Sequence, residues 1–481
     1  MNHEIKKKLF TGIIWSTADK LITQVGYLAV TLFIARTIGP ESFGLIGMLT
    51  IFMLLSESII NNGFSQALVQ RSNNATREDF STIFYINIVW SIFIYFILFF
   101  AAPLIADFYK KIELINISRV LFLVVIINSL SVVVRAQLTI KVDFKSQAIA
   151  NVIATISSSI IAIYMALSGY GYWSYVSLII LKALISSASL WFFSRWIPML
   201  LFSKESFRTL FKFGSNLMVA GLISTLVNNL YIVLIGRYFN ATSVGYFSQA
   251  TNLTTFLSHF ISTTLQSVTY PILTSIKEDR QKLVILYKQL LSITMLFSFP
   301  ALAGFAALSD TFIELFLGSQ WLPIVPIVKI LCIARMIIPI SAINMNILNA
   351  IGRSDLFLKV DLMKLPIILI SILIAVPYGL NGVAIAILST TLLSFFINAY
   401  YPWRLFNFGP IAQLIIAKRY IFSSVIVYMS VSTISFSDLW LEIFIKIITG
   451  ISVYLSLLFI LRDRFSFKIA KEIIRKFKKA E

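Results

Sequence analysis

The sequence predicts an all-α polytopic membrane protein of about fourteen transmembrane helices, two pseudo-symmetric six-helix lobes followed by a further helix pair. Three observations carry that reading. The 481 residues are 58% hydrophobic and 13% charged, with a mean hydropathy of +0.88, too little polar side chain to cover a soluble domain. Apolar runs of about 20 residues, the length that crosses a hydrocarbon core, recur from one end of the chain to the other. The two halves also repeat each other.

Charges, Gly and Pro bound the runs. Residues 1–200 form the N-terminal lobe, with spans near 9–35, 43–69, 80–106, 116–139, 147–168 and 172–196. A basic linker around 204–212 opens the C-terminal lobe, residues 201–410, with spans near 210–236, 244–272, 283–308, 323–349, 358–377 and 380–402. Residues 411–481 add spans near 414–435 and 439–461 and a basic tail, and 310–321 has the length of a short re-entrant or interfacial piece.

The formal charge of +19 raises nucleic acid as a partner, and its distribution removes it. Roughly 29 of the 40 Lys and Arg residues fall in alternate loops and about 5 in the opposite ones, which is the positive-inside pattern. An even number of spans puts both termini on one side, and Lys6, Lys7, Lys8 and the tail from Arg462 to Lys479 place that side in the cytoplasm. In the tail, Phe467, Ala470, Ile474 and Phe477 interleave with basic residues, fitting either an amphipathic helix on an anionic leaflet or a solvated end. Asp19 and Lys20 interrupt the first apolar stretch and no small-residue cleavage site follows, so it reads as a retained helix and not a leader.

The repeat appears when the chain is laid on itself without a gap. Leu9, Phe10, Leu21, Ile22, Ile34, Arg36, Ser42 and Gly44 then fall on Leu210, Phe211, Leu222, Ile223, Ile235, Arg237, Ser243 and Gly245. At a slightly different offset, Lys145, Ile160, Tyr170, Gly171 and Ser186 fall on Arg353, Ile368, Tyr378, Gly379 and Ser394. Six spans per copy make the repeats parallel, related by an axis along the membrane normal. Two such lobes suit alternating access around a central cavity.

A charge deep in a membrane helix costs about 2.5–3.5 kcal/mol on insertion scales, so each one marks a candidate site. The deep ones are Asp19 and Lys20 in the first span, Glu57 in the second, Lys182 in the sixth, His259 in the eighth and Arg335 in the tenth. Polar residues accompany them at helical spacing: Ser16, Thr23, Tyr27 and Thr31; Asn216, Ser224 and Asn228; Asn252, Thr255, Ser262, Gln266 and Tyr270. Two readings stay open for each. It lines a wet cavity, or it is a buried partner or interhelical glue. Asp361 and Lys364 read as a local ion pair or as snorkelling side chains, and Lys446 as snorkelling. The single cysteine, Cys332, sits in an apolar run, and with two histidines the chain offers no disulfide or metal-ligand pattern, so no metal or cofactor is expected. Nucleophile elbow, P-loop and dinucleotide fingerprints are missing from the sequence. The outer loops, roughly ten residues long, are short for a membrane polymerase or ligase, so the chain reads as a transporter and not as an enzyme.

Two motifs sharpen this. The first span closes into Ile34-Ala-Arg-Thr-Ile-Gly-Pro-Glu-Ser-Phe-Gly44, with Arg36, Gly39, Pro40, Phe43 and Gly44, where Pro40 and Gly44 suit a tight turn and Arg36 suits capping or lipid phosphate. The second ends in Asn62-Gly-Phe-Ser-Gln-Ala-Leu-Val-Gln-Arg71, with Gly63 and Gln70. Over nearly the whole length the chain resembles Wzx-type polysaccharide flippases of the multidrug/oligosaccharidyl-lipid/polysaccharide exporter superfamily, nearest the colanic-acid and teichuronic-acid exporter branch.

The resemblance implies a fold like that of the superfamily's drug exporters and a bacterial inner-membrane location. It also implies a substrate: an oligosaccharide on undecaprenyl pyrophosphate, flipped to the outer face for lipopolysaccharide or exopolysaccharide synthesis. Lys20, Lys182 and Arg335 would then neutralise pyrophosphate while Asn228, Asn252 and Tyr27 hydrogen-bond sugar hydroxyls. Asp19, Glu57 or His259 would take up a proton or Na⁺ and couple export to a gradient. Membrane lipids, and a polysaccharide polymerase and chain-length protein, are the expected partners. The alternatives are a small-molecule exporter of the same superfamily or a membrane glycan polymerase or ligase. By analogy with lipid II flippases, the last two spans form a groove for a lipid tail.

Overall fold

The computed structural model describes residues 3–61, 68, 76–276 and 279–462; side chains before Ile22, and those of Asn216, Gln266 and Tyr270, lie outside the described residues. Fourteen α-helices and two short 3₁₀ turns make up the described chain, and no strand occurs among the described residues. Among the described residues, ten stretches are long and apolar enough to cross a membrane. The difference from the expected fourteen has a physical reason. Two of the ten, Ile22–Ile60 and Asp355–Phe406, run through a break, and at 1.5 Å per residue they are about 58 and 78 Å long, well over the roughly 30 Å of one core. Two further helices of 35 residues, Lys204–Tyr238 and Ala241–Ser275, carry the polar stripes and fall outside the ten.

The first break lies in α1 (His3–Asn61), where Gly39 takes φ 78 and ψ 170. That conformation is open to glycine, and Pro40, lacking an N–H, suits the first turn of the second segment. Gly44 was expected in the turn itself. It lies instead within the second segment and permits a close backbone approach. α2 (Arg77–Tyr109) starts on a capping box, Thr76 Oγ1 accepting from Asp79 N at 3.2 Å while Thr76 N donates to Asp79 Oδ2 at 2.9 Å. It is followed by α3 (Leu114–Leu121), α4 (Leu123–Ile140), α5 (Phe144–Leu167) and α6 (Tyr172–Ser194). α7 (Lys204–Tyr238) and α8 (Ala241–Ser275) come next. The remainder is α9 (Arg280–Leu317), α10 (Val325–Ala350), α11 (Ser354–Ala375), α12 (Gly379–Phe406), α13 (Pro410–Ser432) and α14 (Leu439–Ile460). The 310–321 piece resolves into the end of α9 and a 3₁₀ turn at Ser319–Ile324.

The chain divides into two compact units, Met1–Gly245 and Tyr246–Glu481. In the first, α5 packs on α6, α4 on α2 and α6, and α1 on α5 and α7. Thus α7, which the repeat places at the head of the second lobe, joins the first unit. Just beyond it, the start of α8 meets α1 backbone on backbone. A Cβ on Gly44 would lie 1.7 Å from the Ala241 carbonyl oxygen, and one on Gly245 would lie 2.0 Å from that of Pro40. Nearby, Arg237 Nη1 donates to the Phe108 carbonyl at 2.6 Å, and Lys111 pairs with Glu41 at 2.6 Å.

In the second unit α9 is central, packing on α10, α13 and α14, while α12 packs on α10 and α11. Two buried polar sets tie the terminal helix pair to α9. Tyr287 donates to Asn344 Oδ1 at 2.5 Å, Asn344 Nδ2 donates to Gln413 Oε1 at 3.0 Å, and Gln413 Nε2 donates to the Tyr287 hydroxyl at 3.1 Å. Lys446 does not snorkel as expected. It is 4% exposed and pairs at 2.5 Å with Glu442 one turn away, and both meet Thr311 of α9. A buried cation with a carboxylate and a hydroxyl beside it needs no route to the interface. Asp361 and Lys364 form the local pair the spacing suggested, at 2.5 Å.

Candidate functional site

In the first unit two of the candidate residues meet. Tyr27 and Thr31 lie one turn apart on α1, with Thr31 Oγ1 donating to the Tyr27 carbonyl at 2.7 Å. Tyr175 and Lys182 lie two turns apart on α6, hence on one face. The Lys182 ammonium stands 3.9 Å from the Tyr27 ring centroid. Tyr27 and Tyr175 share a side-chain hydrogen bond, and the Tyr175 ring stacks on Phe43 at 4.9 Å between centroids. Phe43, read from the sequence as a fold marker, is therefore the buried support of this cluster.

In the second unit Arg335 of α10 meets α8. Ser258 Oγ donates to the Arg335 carbonyl at 3.0 Å, which sets His259 on the neighbouring position of α8. The polar stripe of α8 divides accordingly. Ser258 and Ser262 are buried and Thr255 is half-buried, whereas Asn252 and His259, two turns apart, are exposed. Arg335 is half-buried. On α7, in the first unit, Asn228 is exposed and its Nδ2 donates to Ser224 Oγ at 3.2 Å. Glu57 is exposed between buried Ser56 and Ser58. Arg36 is exposed, Gly39 and Pro40 are half-buried, and Gly44 is buried. The side chains of Asp19 and Lys20, together with Gly63, Gln70 and the tail beyond Arg462, lie outside the described residues.

The geometry thus joins Lys182 to Tyr27, and Arg335 to the helix that carries His259. Asn228 contacts a residue of its own helix. The sequence reading missed Tyr175, although its two-turn spacing from Lys182 was available, and it missed Ser258 as the link to α10. Lysine over an aromatic face with hydroxyls beside it can bind an anion and hydrogen-bond a polyol. Among the described residues no group of three or more His, Cys, Asp or Glu side chains could hold a metal ion.

Comparison with known proteins places this architecture. The chain is 25% identical over 357 residues to the teichuronic acid biosynthesis protein TuaB of Bacillus subtilis, 73% of each chain. It is 24% identical over 405 residues to the lipopolysaccharide biosynthesis protein WzxC of Escherichia coli, 82% of this chain and 81% of that one. Among solved structures, the lipid II flippase MurJ in an inward closed conformation matches with a TM-score of 0.75 and 17% identity, over 94% of this chain and 99% of its own. An inward-facing MATE-family multidrug transporter matches at 0.62 and 14%, over 84% and 99%. The fold is therefore all-α, polytopic and of the kind that these transporters share. Residues 33–326 match the family described as polysaccharide biosynthesis protein, and since that match covers more than half of its length the chain belongs to this family.

Proposed function

We propose that the chain flips an undecaprenyl-pyrophosphate-linked oligosaccharide from the cytoplasmic to the outer face of a bacterial inner membrane by alternating access, feeding lipopolysaccharide or exopolysaccharide synthesis. The observation that carries this reading is the Lys182, Tyr27 and Tyr175 cluster within apolar helices of a polysaccharide biosynthesis protein. Pyrophosphate brings negative charge into a medium that repels it, and a lysine backed by an aromatic face offsets that cost. In the second unit Arg335, whose backbone carbonyl accepts from Ser258 next to His259, supplies a second cation. Exposed Asn228 and Asn252 offer amides to sugar hydroxyls. The isoprenoid tail stays in the bilayer, and Lys20 adds charge at the first span. Both termini face the cytoplasm, where the basic loops lie, and the polymerase and chain-length proteins receive the product.

Deleting the gene tests the reading. Lipid-linked units accumulate on the inner leaflet and surface polymer disappears; unchanged surface glycan overturns it. Asp19, Glu57 or His259 carries the coupling ion. Combining Asp19→Asn, Glu57→Gln and His259→Ala stops gradient-dependent export while leaving expression intact, and full activity of the triple variant removes the coupling role. The likeness to MATE transporters favours a second reading, export of small organic cations. Cation resistance lost on deletion, with surface glycan intact, selects it.

A further inference from the structure

The segment between α6 and α7 has a construction that the translocation site does not use. Residues 195–203 are not helical, yet two buried side chains at the start of α2 hold them. The Met199 amide donates to Ser81 Oγ at 3.0 Å and the Ser203 amide to Thr82 Oγ1 at 3.1 Å. Held in this way, the segment presents Ile197 at 81% and Leu200 at 95% exposure, with Leu201 and Phe202 also exposed. Outside any helical span, such a run is costly in water and at home in the bilayer interface.

Aromatic rings back the segment. Phe84, Trp191 and Trp196 meet one another at 5.5 to 5.7 Å between centroids. A second row follows, Phe202 to Phe207 at 6.1 Å and Phe207 to Phe211 at 5.1 Å. Lys204, Phe207, Arg208 and Phe211 recur at the spacing of one helical face, and with Phe202 they line an open cavity of about 730 Å³. Lys204 and Arg208 are exposed, and Glu205 is the one acidic residue from Ser203 to Phe211. Aromatic walls with two cations beside them suit a lipid whose headgroup carries a phosphate. The positive-inside pattern places the segment at the cytoplasmic leaflet.

We propose that this groove seats an anionic glycerophospholipid of the cytoplasmic leaflet, its phosphate against Lys204 and Arg208 and its first acyl carbons against Phe202, Phe207 and Phe211. The bound lipid covers the exposed linker and anchors the α6 to α7 connection. The proposal does not rest on the identity of the transported substrate.

The test is lipid binding to the purified full chain in zwitterionic nanodiscs, read by native mass spectrometry with added phosphatidylglycerol or phosphatidylcholine. The wild type retains phosphatidylglycerol in preference. At about fivefold per basic residue near an anionic surface, the Lys204→Gln/Arg208→Gln pair loses that preference by on the order of 25-fold. Its melting in zwitterionic lipid is unchanged, and the Lys204→Arg/Arg208→Lys pair keeps the preference. Equal retention of the two lipids by the wild type overturns the proposal, as does undiminished phosphatidylglycerol binding by the double Gln variant. A groove that takes an isoprenyl diphosphate and refuses phosphatidylglycerol overturns it too.

Discussion

The Lys182 ammonium lies 3.9 Å from the centroid of the Tyr27 ring, so a cation of α6 and an aromatic face of α1 form one element of the candidate site. The ring and its hydroxyl do different things. The face holds the ammonium, while the hydroxyl joins Tyr175.

Substitutions at Tyr27 separate these contributions. A cation over an aromatic face contributes about 0.5–2 kcal/mol. Tyr27→Phe keeps the face and retains most export, whereas Tyr27→Leu lowers it several-fold, as does Lys182→Met. Surface polysaccharide per cell, corrected for protein abundance, measures all three. Equal loss in the Phe and Leu variants would assign the role to the hydroxyl instead.

The Gly44 and Gly245 contact leaves no room for a methyl group. Gly44→Ala and Gly245→Ala each lower the melting temperature of the purified protein, with an overpacking cost of about 1–3 kcal/mol. Because both glycines press on one contact, the double variant loses less than the sum of the singles. Additive losses would mean that the two approaches are independent.

Glu442 and Lys446 form a buried pair, and removing one partner leaves the other uncompensated. Lys446→Met or Glu442→Gln costs about 3–5 kcal/mol, while replacing both with Leu is close to neutral. Abundance and thermal unfolding in detergent report it, and a double variant as poor as the singles would contradict the argument.

Beside the break in α1, the hydrogen bond from Lys111 to Glu41 raises the lysine pKa above its ordinary 10.5. The stabilisation is fully present below the unfolded value and is lost as pH rises through the raised folded value. Melting temperature between pH 8 and pH 12 should therefore fall at the alkaline end, and Lys111→Met should flatten that fall. Both side chains are partly exposed, so the effect is small and weakens in salt.

Hydropathy and spacing made the helices and the repeat legible, because bilayer thickness and helical period act directly on sequence. The second set of repeat matches has a structural counterpart: Gly171, the residue before α6, and Gly379, the first residue of α12, both take positive φ, at 55 and 76. Partnerships between distant residues were not legible. Nothing local announces that Lys446 meets Thr311, that Ser258 reaches the Arg335 carbonyl, or that Gln413 joins Tyr287 and Asn344, since each depends on which helices become neighbours. The α8 stripe illustrates the same limit. Its period was plain, but the division into a packed Ser258 side and an exposed His259 side is set by α10.

The contact between the two repeat-related turns has one more property. Gly44 faces Ala241 and Gly245 faces Pro40, and Pro40 and Ala241 are themselves counterparts under the repeat alignment. The surface is therefore isologous, the arrangement by which two identical subunits bind around a dyad. A single chain here keeps the self-complementary seam of a homodimer.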